Sequence, residues 1–172
     1  MKEAPGKTIE WYTPDPLVKR LEAIFGRFTL DPCATPESAK AQRFYTKEDD
    51  GLIQSWTGEN CWLNPPYGDE IPAWVDKAAR ESRNANTSVV ALLPARTDTD
   101  WFHYHVLPFI DTKLDMHGRV HFIGENGKEA KAPQFPSIIV RFSAMSVYGI
   151  RYGTIEAEDP PRRTRRKGRN KC

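Results

Sequence analysis

The chain has 172 residues, 39% of them hydrophobic and 11% aromatic, which is the length of one domain and too apolar for a disordered chain. Its longest apolar runs, such as Val89-Val90-Ala91-Leu92-Leu93, fall far short of the roughly 20 residues that a membrane span needs. The net charge of +2 conceals an asymmetry: seven of the 25 basic residues lie between Arg162 and Cys172, leaving 18 basic against 23 acidic residues, a net of −5, over residues 1–161.

Taken along the chain, residues 1–9 read as a loose arm whose polar residues Lys2, Glu3 and Lys7 show no signal-peptide pattern. Asp15-Pro16 starts a helix, Leu17, Leu21, Ile24 and Phe25 give it an apolar face, and Gly26 ends it. Phe28-Thr29-Leu30 reads as a short strand running into Asp31-Pro32, and Thr35-Pro36-Glu37 is a second helix start. Residues 44–60 read as irregular, with turns at Asp50-Gly51 and Thr57-Gly58. Cys61-Trp62-Leu63 is an apolar strand entering Asn64-Pro65-Pro66-Tyr67-Gly68, where two prolines force a turn.

A helix follows, with Ile71, Trp74, Val75, Ala78 and Ala79 on one face. Ser88–Leu93 is a strand of the doubly buried, parallel kind. Asp98 or Thr99 is placed to cap a short helix through Trp101, Phe102 and Val106. The segments 109–114, Val120–Ile123 and Ser137–Phe142 read as strands, with Asn126-Gly127 as the turn between the last two. Residues 143–161 read as a short closing element and linker, and 151–172 as linker and disordered basic tail, so that residues 10–150 form a single domain. Strands alternating with helices and closing on an antiparallel pair predict an α/β sandwich with a mostly parallel sheet.

Ligands of such sheets lie beyond the carboxyl ends of the strands. Asp31-Pro32 and Asn64-Pro65-Pro66-Tyr67 both fall there. Two prolines stiffen the backbone and leave carbonyls that only accept. The Asn64 side-chain oxygen is a further acceptor, and Tyr67 offers a flat stacking face. Acceptors fixed beside a ring suit a planar substrate carrying an NH2 group. Gripping its two N–H bonds localises a lone pair that would otherwise be delocalised, and the ring aims that lone pair at an electrophile.

With those residues in place, the sequence resembles the S-adenosylmethionine-dependent amino-methyltransferases, and most closely the small phage-type DNA adenine-N6 methyltransferases. The resemblance is carried by Glu10-Trp11-Tyr12-Thr13-Pro14, Leu30-Asp31-Pro32-Cys33-Ala34, Asp50-Gly51-Leu52, Trp56, and Trp62 through Tyr67. It continues through Leu92–Phe102 and Gly118-Arg119-Val120-His121-Phe122. It implies a Rossmann-like class I methyltransferase fold and methyl transfer to adenine N6 in DNA, the base being flipped out of the duplex. It also implies Asn64, Pro65, Pro66 and Tyr67 as the catalytic box and S-adenosylmethionine as cofactor. Asp31 would face the cofactor's methionine amine, with Pro32 and Cys33 beside it. Trp11, Thr13 and Pro14 would form an upstream element at the methionine end, and Asp50, with Asp49 beside it, would face the cofactor's adenine.

Arg96, Arg119 and the tail residues Arg162, Arg163, Arg165, Arg166 and Lys167 are expected to meet DNA phosphate. The same box would serve cytosine N4, an RNA base or a protein glutamine, and a non-catalytic DNA-binding protein on this fold is the alternative of a different kind. The family's cofactor loop usually carries glycines, whereas residues 31–38 have none. Only 32 residues separate Asp31 from Asn64. Three cysteines without CxxC spacing, and His103, His105, His117 and His121 without ligand spacing, predict neither disulfide framework nor metal site, and a reducing bacterial or phage-infected cytoplasm.

Overall fold

The computed structural model describes residues 12–124, 135–144 and 149–157. Trp11, the arm, the Asn126-Gly127 turn and the basic tail lie outside them. Among the described residues seven strands form one sheet in the order β2-β1-β3-β4-β6-β5-β7. They are β1 (Leu30–Asp31), β2 (Arg43–Phe44), β3 (Asn60–Leu63), β4 (Ser88–Pro94), β5 (Ile110–His117), β6 (Ser137–Ser143) and β7 (Arg151–Glu156). β6 runs antiparallel to its neighbours β4 and β5, and every other pairing is parallel. All strands but β6 therefore point their carboxyl ends the same way.

Among the described residues two α-helices cover opposite faces. α1 (Asp15–Phe25) begins after Pro14, carries Pro16 in its first turn and stops at Gly26, whose φ of 85° suits glycine. Its buried Leu17, Val18 and Leu21 pack with Phe28, Trp62, Val90, Leu92, Ile139, Val120 and Phe122. α2 (Ile71–Glu81) buries Ile71, Trp74, Val75, Ala78 and Ala79 against Cys61, Leu63, Val89, Ala91, Leu93, Ile138 and Val140. Alternate residues of β3, β4 and β6 thus feed two cores, which is why β4 reads as an unbroken apolar run.

Four expectations are corrected. The antiparallel partners of β6 are β4 and β5, not Val120–Ile123. Gly118 turns the chain with φ 90°, Val120 and Phe122 drop into the α1 core, and Ile123 makes a single bridge to Tyr12. Thr35 and Ser38 exchange the reciprocal backbone and side-chain bonds of a helix start. No helix follows, because the polar stretch beyond has no apolar face to bury. The segment after Trp101 is a wide π-type turn, Phe102–Val106, then a 3₁₀ turn, Leu107–Phe109, and no side chain caps it.

Finally, residues 151–156 are not linker but the edge strand β7, with Ile155 and Ala157 buried. Its sequence hid this, since only one face is apolar. Gly153 packs closely there, where a Cβ would come 3.0 Å from the Leu114 side chain, which would have to give way by a few tenths of an ångström. Arg20 of α1 holds the strand end by donating to the Glu156 and Ala157 carbonyls, 3.1 Å each.

At the amino end of the parallel strands an irregularity in β5 places Asp111 beside Arg141 of β6, which donates to both its oxygens from Nε at 2.9 and 3.1 Å. Burial alone would raise the Asp111 carboxyl; the Arg141 guanidinium holds it below the usual carboxylate range. This pair ties the sheet together at the end remote from the candidate site.

Candidate active site at the carboxyl ends of the parallel strands

Asp31 ends β1 and Asn64 follows β3 directly, and the two strands are hydrogen-bonded neighbours with Leu30 opposite Cys61. The acid and the box therefore emerge side by side. The Asp31 carboxylate is 2% exposed. One oxygen accepts from Cys33 N–H at 3.3 Å and the other from Lys40 N–H at 3.0 Å. Burial nevertheless dominates and pushes its pKa up to about 7. No described cationic side chain is paired with it, since the Lys40 ammonium goes to Asp15 at 2.6 Å. A buried carboxylate in this condition suits a cationic ligand group, which would return it to the charged form.

The loop from Asp31 to Tyr45 wraps that carboxylate: Tyr45 N–H donates to the Asp31 carbonyl at 2.9 Å and Ala34 N–H to the Tyr45 carbonyl at 3.0 Å. The close backbone approach that a glycine-rich loop would supply occurs instead at Gly51, where a Cβ would lie 2.0 Å from the Pro32 carbonyl oxygen. Trp56 fixes Gly51 by donating from its indole to the Gly51 carbonyl at 2.9 Å, inside the core. Asp50 has a φ of 52°, is exposed, and accepts from Leu52 N–H at 3.2 Å. Asp49 accepts from both the N–H and the hydroxyl of Thr46 at 2.9 Å, which holds its carboxyl below the usual range. Asp50 is thus placed beside the Asp31-Pro32 loop by Gly51. The short β2 is what lets 32 residues bridge Asp31 and Asn64.

In the box, Pro65 is buried and Pro66 half-buried. The Asn64 side-chain oxygen is shut off from solvent. Tyr67 packs against both cores, with its ring edge-on to Phe122 at 6.2 Å and 84°. Burial raises its pKa, so the phenol stays neutral. Thr13, 2% exposed, has a buried hydroxyl without a hydrogen-bond partner. It sits between Tyr12, bridged to Ile123, and Pro14 at the start of α1. An orphaned hydroxyl, a buried carboxylate and the Pro32–Gly51 close approach are donor chemistry that fits a ligand with an amino-acid end and a flat end.

Arg96 beyond β4 and Arg119 beyond β5 are exposed on the same rim. The Arg96 guanidinium lies 5.3 Å from the Phe135 ring centre. Phe122, and Gly51 as the point of backbone approach, are site features that residue pattern alone did not single out. Only the Asp50-Gly51 turn and the presence of Phe122 near the end of the resemblance hinted at them. Among the described residues no group of three or more His, Cys, Asp or Glu is placed to hold a metal, and no described helix is long and apolar enough to cross a membrane. His105 faces Asp76 at 3.4 Å and His117 faces Glu156 at 2.9 Å.

The profile of a protein family described as "DNA N-6-adenine-methyltransferase (Dam)" matches residues 5–159. A DNA N-6-adenine-methyltransferase of Haemophilus phage HP1 (strain HP1c1) is 33% identical over 141 residues, covering 81% of each chain. One of Escherichia phage T1 is 37% identical over 146 residues, covering 75% of this chain and 60% of that relative.

Proposed function

The chain belongs to the DNA N-6-adenine-methyltransferase (Dam) family, and from that membership we propose how its residues carry the reaction. It is a DNA adenine methyltransferase, placing a methyl group on the N6 amino group of adenine in DNA. S-adenosylmethionine, when bound, supplies the electrophilic methyl group.

The observation that carries the assignment of residues is the adjacency of Asp31 and Asn64 at the ends of neighbouring strands. Asp31 takes the methionine amine, Thr13 and Pro14 the rest of the amino-acid end, Pro32 and Cys33 line the path between, and Asp50 faces the cofactor's adenine. Trp11, outside the described residues, extends the upstream element. On the other side, the Asn64 side-chain oxygen and a carbonyl of the Pro65-Pro66 pair accept the two N–H bonds of the target amine. The Tyr67 ring holds the base plane. With that cofactor bound, the nitrogen lone pair would form the new N–C bond as the methyl group's bond to the sulfonium sulfur breaks and S-adenosylhomocysteine leaves, and the alkylated nitrogen, now acidic, would release its extra proton to solvent. No strong base is needed, and the gain comes from orientation and preset electrostatics. A base in duplex DNA must be flipped out to reach this depth.

The reading is tested by offering labelled cofactor with duplex DNA, single-stranded RNA and a glutamine-bearing protein in parallel. Transfer to DNA alone supports it; transfer to RNA or protein in preference to DNA contradicts it.

Arg96 and Arg119 lie on the rim where DNA phosphates would run, and the tail residues Arg162, Arg163, Arg165, Arg166 and Lys167 add charge that a body of net −5 lacks. Deleting residues 162–172 is expected to weaken DNA binding for all sequences alike and to flatten its salt dependence. Each phosphate neutralised contributes a slope of about −0.9 in log affinity against log salt. Sequence preference should persist, because phosphate contacts position and base contacts specify. Equal affinities and parallel salt lines for full-length and shortened protein would show that the tail takes no part.

A further inference from the structure

The amino-acid end of the cofactor is a zwitterion, and Asp31 answers only its amine. The carboxylate on the same carbon needs a donor close by, or its burial goes uncompensated. Lys40 stands there. Its backbone N–H donates to the second Asp31 oxygen at 3.0 Å, which places the residue beside that carboxylate. Its side chain then runs to the first turn of α1, where the ammonium donates to an Asp15 oxygen at 2.6 Å. One lysine thus spans from the carboxyl end of β1 to the start of α1. Thr13, whose buried hydroxyl has no hydrogen-bond partner, precedes Asp15 by two residues. No side chain caps the first turn of α1, and the helix dipole favours an anion at that end.

The two partners of the ion pair differ in exposure: the Lys40 side chain is 12% exposed and that of Asp15 73%. A pair with so wet an acid contributes little to folding, so it does not explain why a lysine is drawn this far in. Asp15 also occupies only one of the three N–H groups of the ammonium. We propose that the Lys40 ammonium receives the α-carboxylate of the cofactor's methionine while Asp31 receives the amine, so that one loop meets both charges of the zwitterion. This rests on the placement of the methionine amine at Asp31. Asp15 carries the same sign as the ligand carboxylate, so it competes for the ammonium rather than helping the ligand. Removing Lys40 and removing the Asp15 charge therefore act in opposite directions.

The test compares two ligands that differ by that one group, S-adenosylmethionine and its decarboxylated form, by calorimetry on the full-length protein without DNA. Wild type is expected to bind the carboxylated ligand at least about tenfold more tightly, the size of one charge-assisted hydrogen bond. Lys40→Met, which keeps the apolar stem, should weaken S-adenosylmethionine about 10- to 100-fold and the decarboxylated form less than about twofold. Asp15→Asn should bind S-adenosylmethionine as tightly as wild type or more so. A lysine that merely braces the loop through Asp15 would weaken both ligands alike on substitution, and Asp15→Asn would follow it. Either result overturns the proposal. Equal affinity of the wild type for the two ligands also overturns it, and that comparison needs no variant to fold. Asp31→Asn in the same assay separates the proposal from the reading beneath it, since both ligands carry the amine. If it changes neither affinity, the amine lies elsewhere and the proposal falls with that placement. If it weakens both while Lys40→Met fails to discriminate between them, the Lys40 proposal alone is wrong.

Discussion

Asn64→Ala is expected to lower turnover about 100- to 1,000-fold, the usual loss on removing one preset acceptor or donor from a reacting centre. Cofactor affinity should stay near wild type. The split follows from where Asn64 stands: directly after β3, its oxygen out of reach of solvent, one strand away from the carboxylate assigned to the cofactor. In water an amide oxygen competes poorly for an aromatic amine. Buried beside stiff proline carbonyls, it meets less competition from water and needs little reorganisation. The fold should survive, since Asn64 lies past the last residue of its strand and outside both cores. Turnover would be measured with saturating DNA, affinity by calorimetry, and folding by thermal melting. Near wild-type turnover in a folded variant removes Asn64 from the chemistry.

Asp31→Asn should act on the other partner. A charged hydrogen bond contributes about 1.5–3 kcal/mol, so losing it should weaken S-adenosylmethionine binding roughly 10- to 150-fold. The raised pKa makes the effect depend on pH. With the carboxyl titrating at about 7, the free protein is mostly uncharged there below neutrality. Wild-type affinity should therefore fall as pH drops from about 8 to 5, approaching tenfold per unit below the pKa. The Asn variant should be nearly flat over that window.

Stability moves in the opposite sense. An unfolded Asp titrates near 4, so between about pH 4 and 7 the folded chain holds a proton that the unfolded chain has released. The stabilisation is complete below the unfolded pKa and is lost as pH rises through about 7. Melting temperatures of Asp31→Asn should accordingly lose that downward trend. Equal pH profiles of affinity for wild type and variant would place the methionine amine elsewhere.

Much of this architecture is legible from residue types. Pro16 and Gly26 bracket α1, the periodic apolar residues from Ile71 to Ala79 give α2, and Val89–Leu93 announces a strand covered on both faces. The two strand-end sites are legible because Asp31-Pro32 and Asn64-Pro65-Pro66 interrupt apolar strands with residues that cannot continue them. What escapes has a physical reason in each case. β7 is an edge strand with one buried face, so Arg151-Tyr152-Gly153-Thr154 carries no apolar pattern. Val120 and Phe122 alternate like a strand but are buried one by one under α1 without a ladder.

The absent glycines of the Asp31 loop look like a defect until Gly51, twenty residues on, is seen to make the close approach to Pro32. Asp111 and Arg141 likewise meet only through the β5–β6 pairing.

The central claim is that Asn64–Tyr67, at the carboxyl end of β3, transfers a methyl group to adenine N6 in DNA. It is tested most directly by incubating the wild-type protein and Asn64→Ala with duplex DNA and methyl-labelled S-adenosylmethionine, then digesting the DNA and identifying the labelled nucleoside. The account predicts label in N6-methyldeoxyadenosine alone, reduced at least about 100-fold in the variant. Label in N4-methyldeoxycytidine, no label in DNA, or equal label with wild type and variant would contradict it.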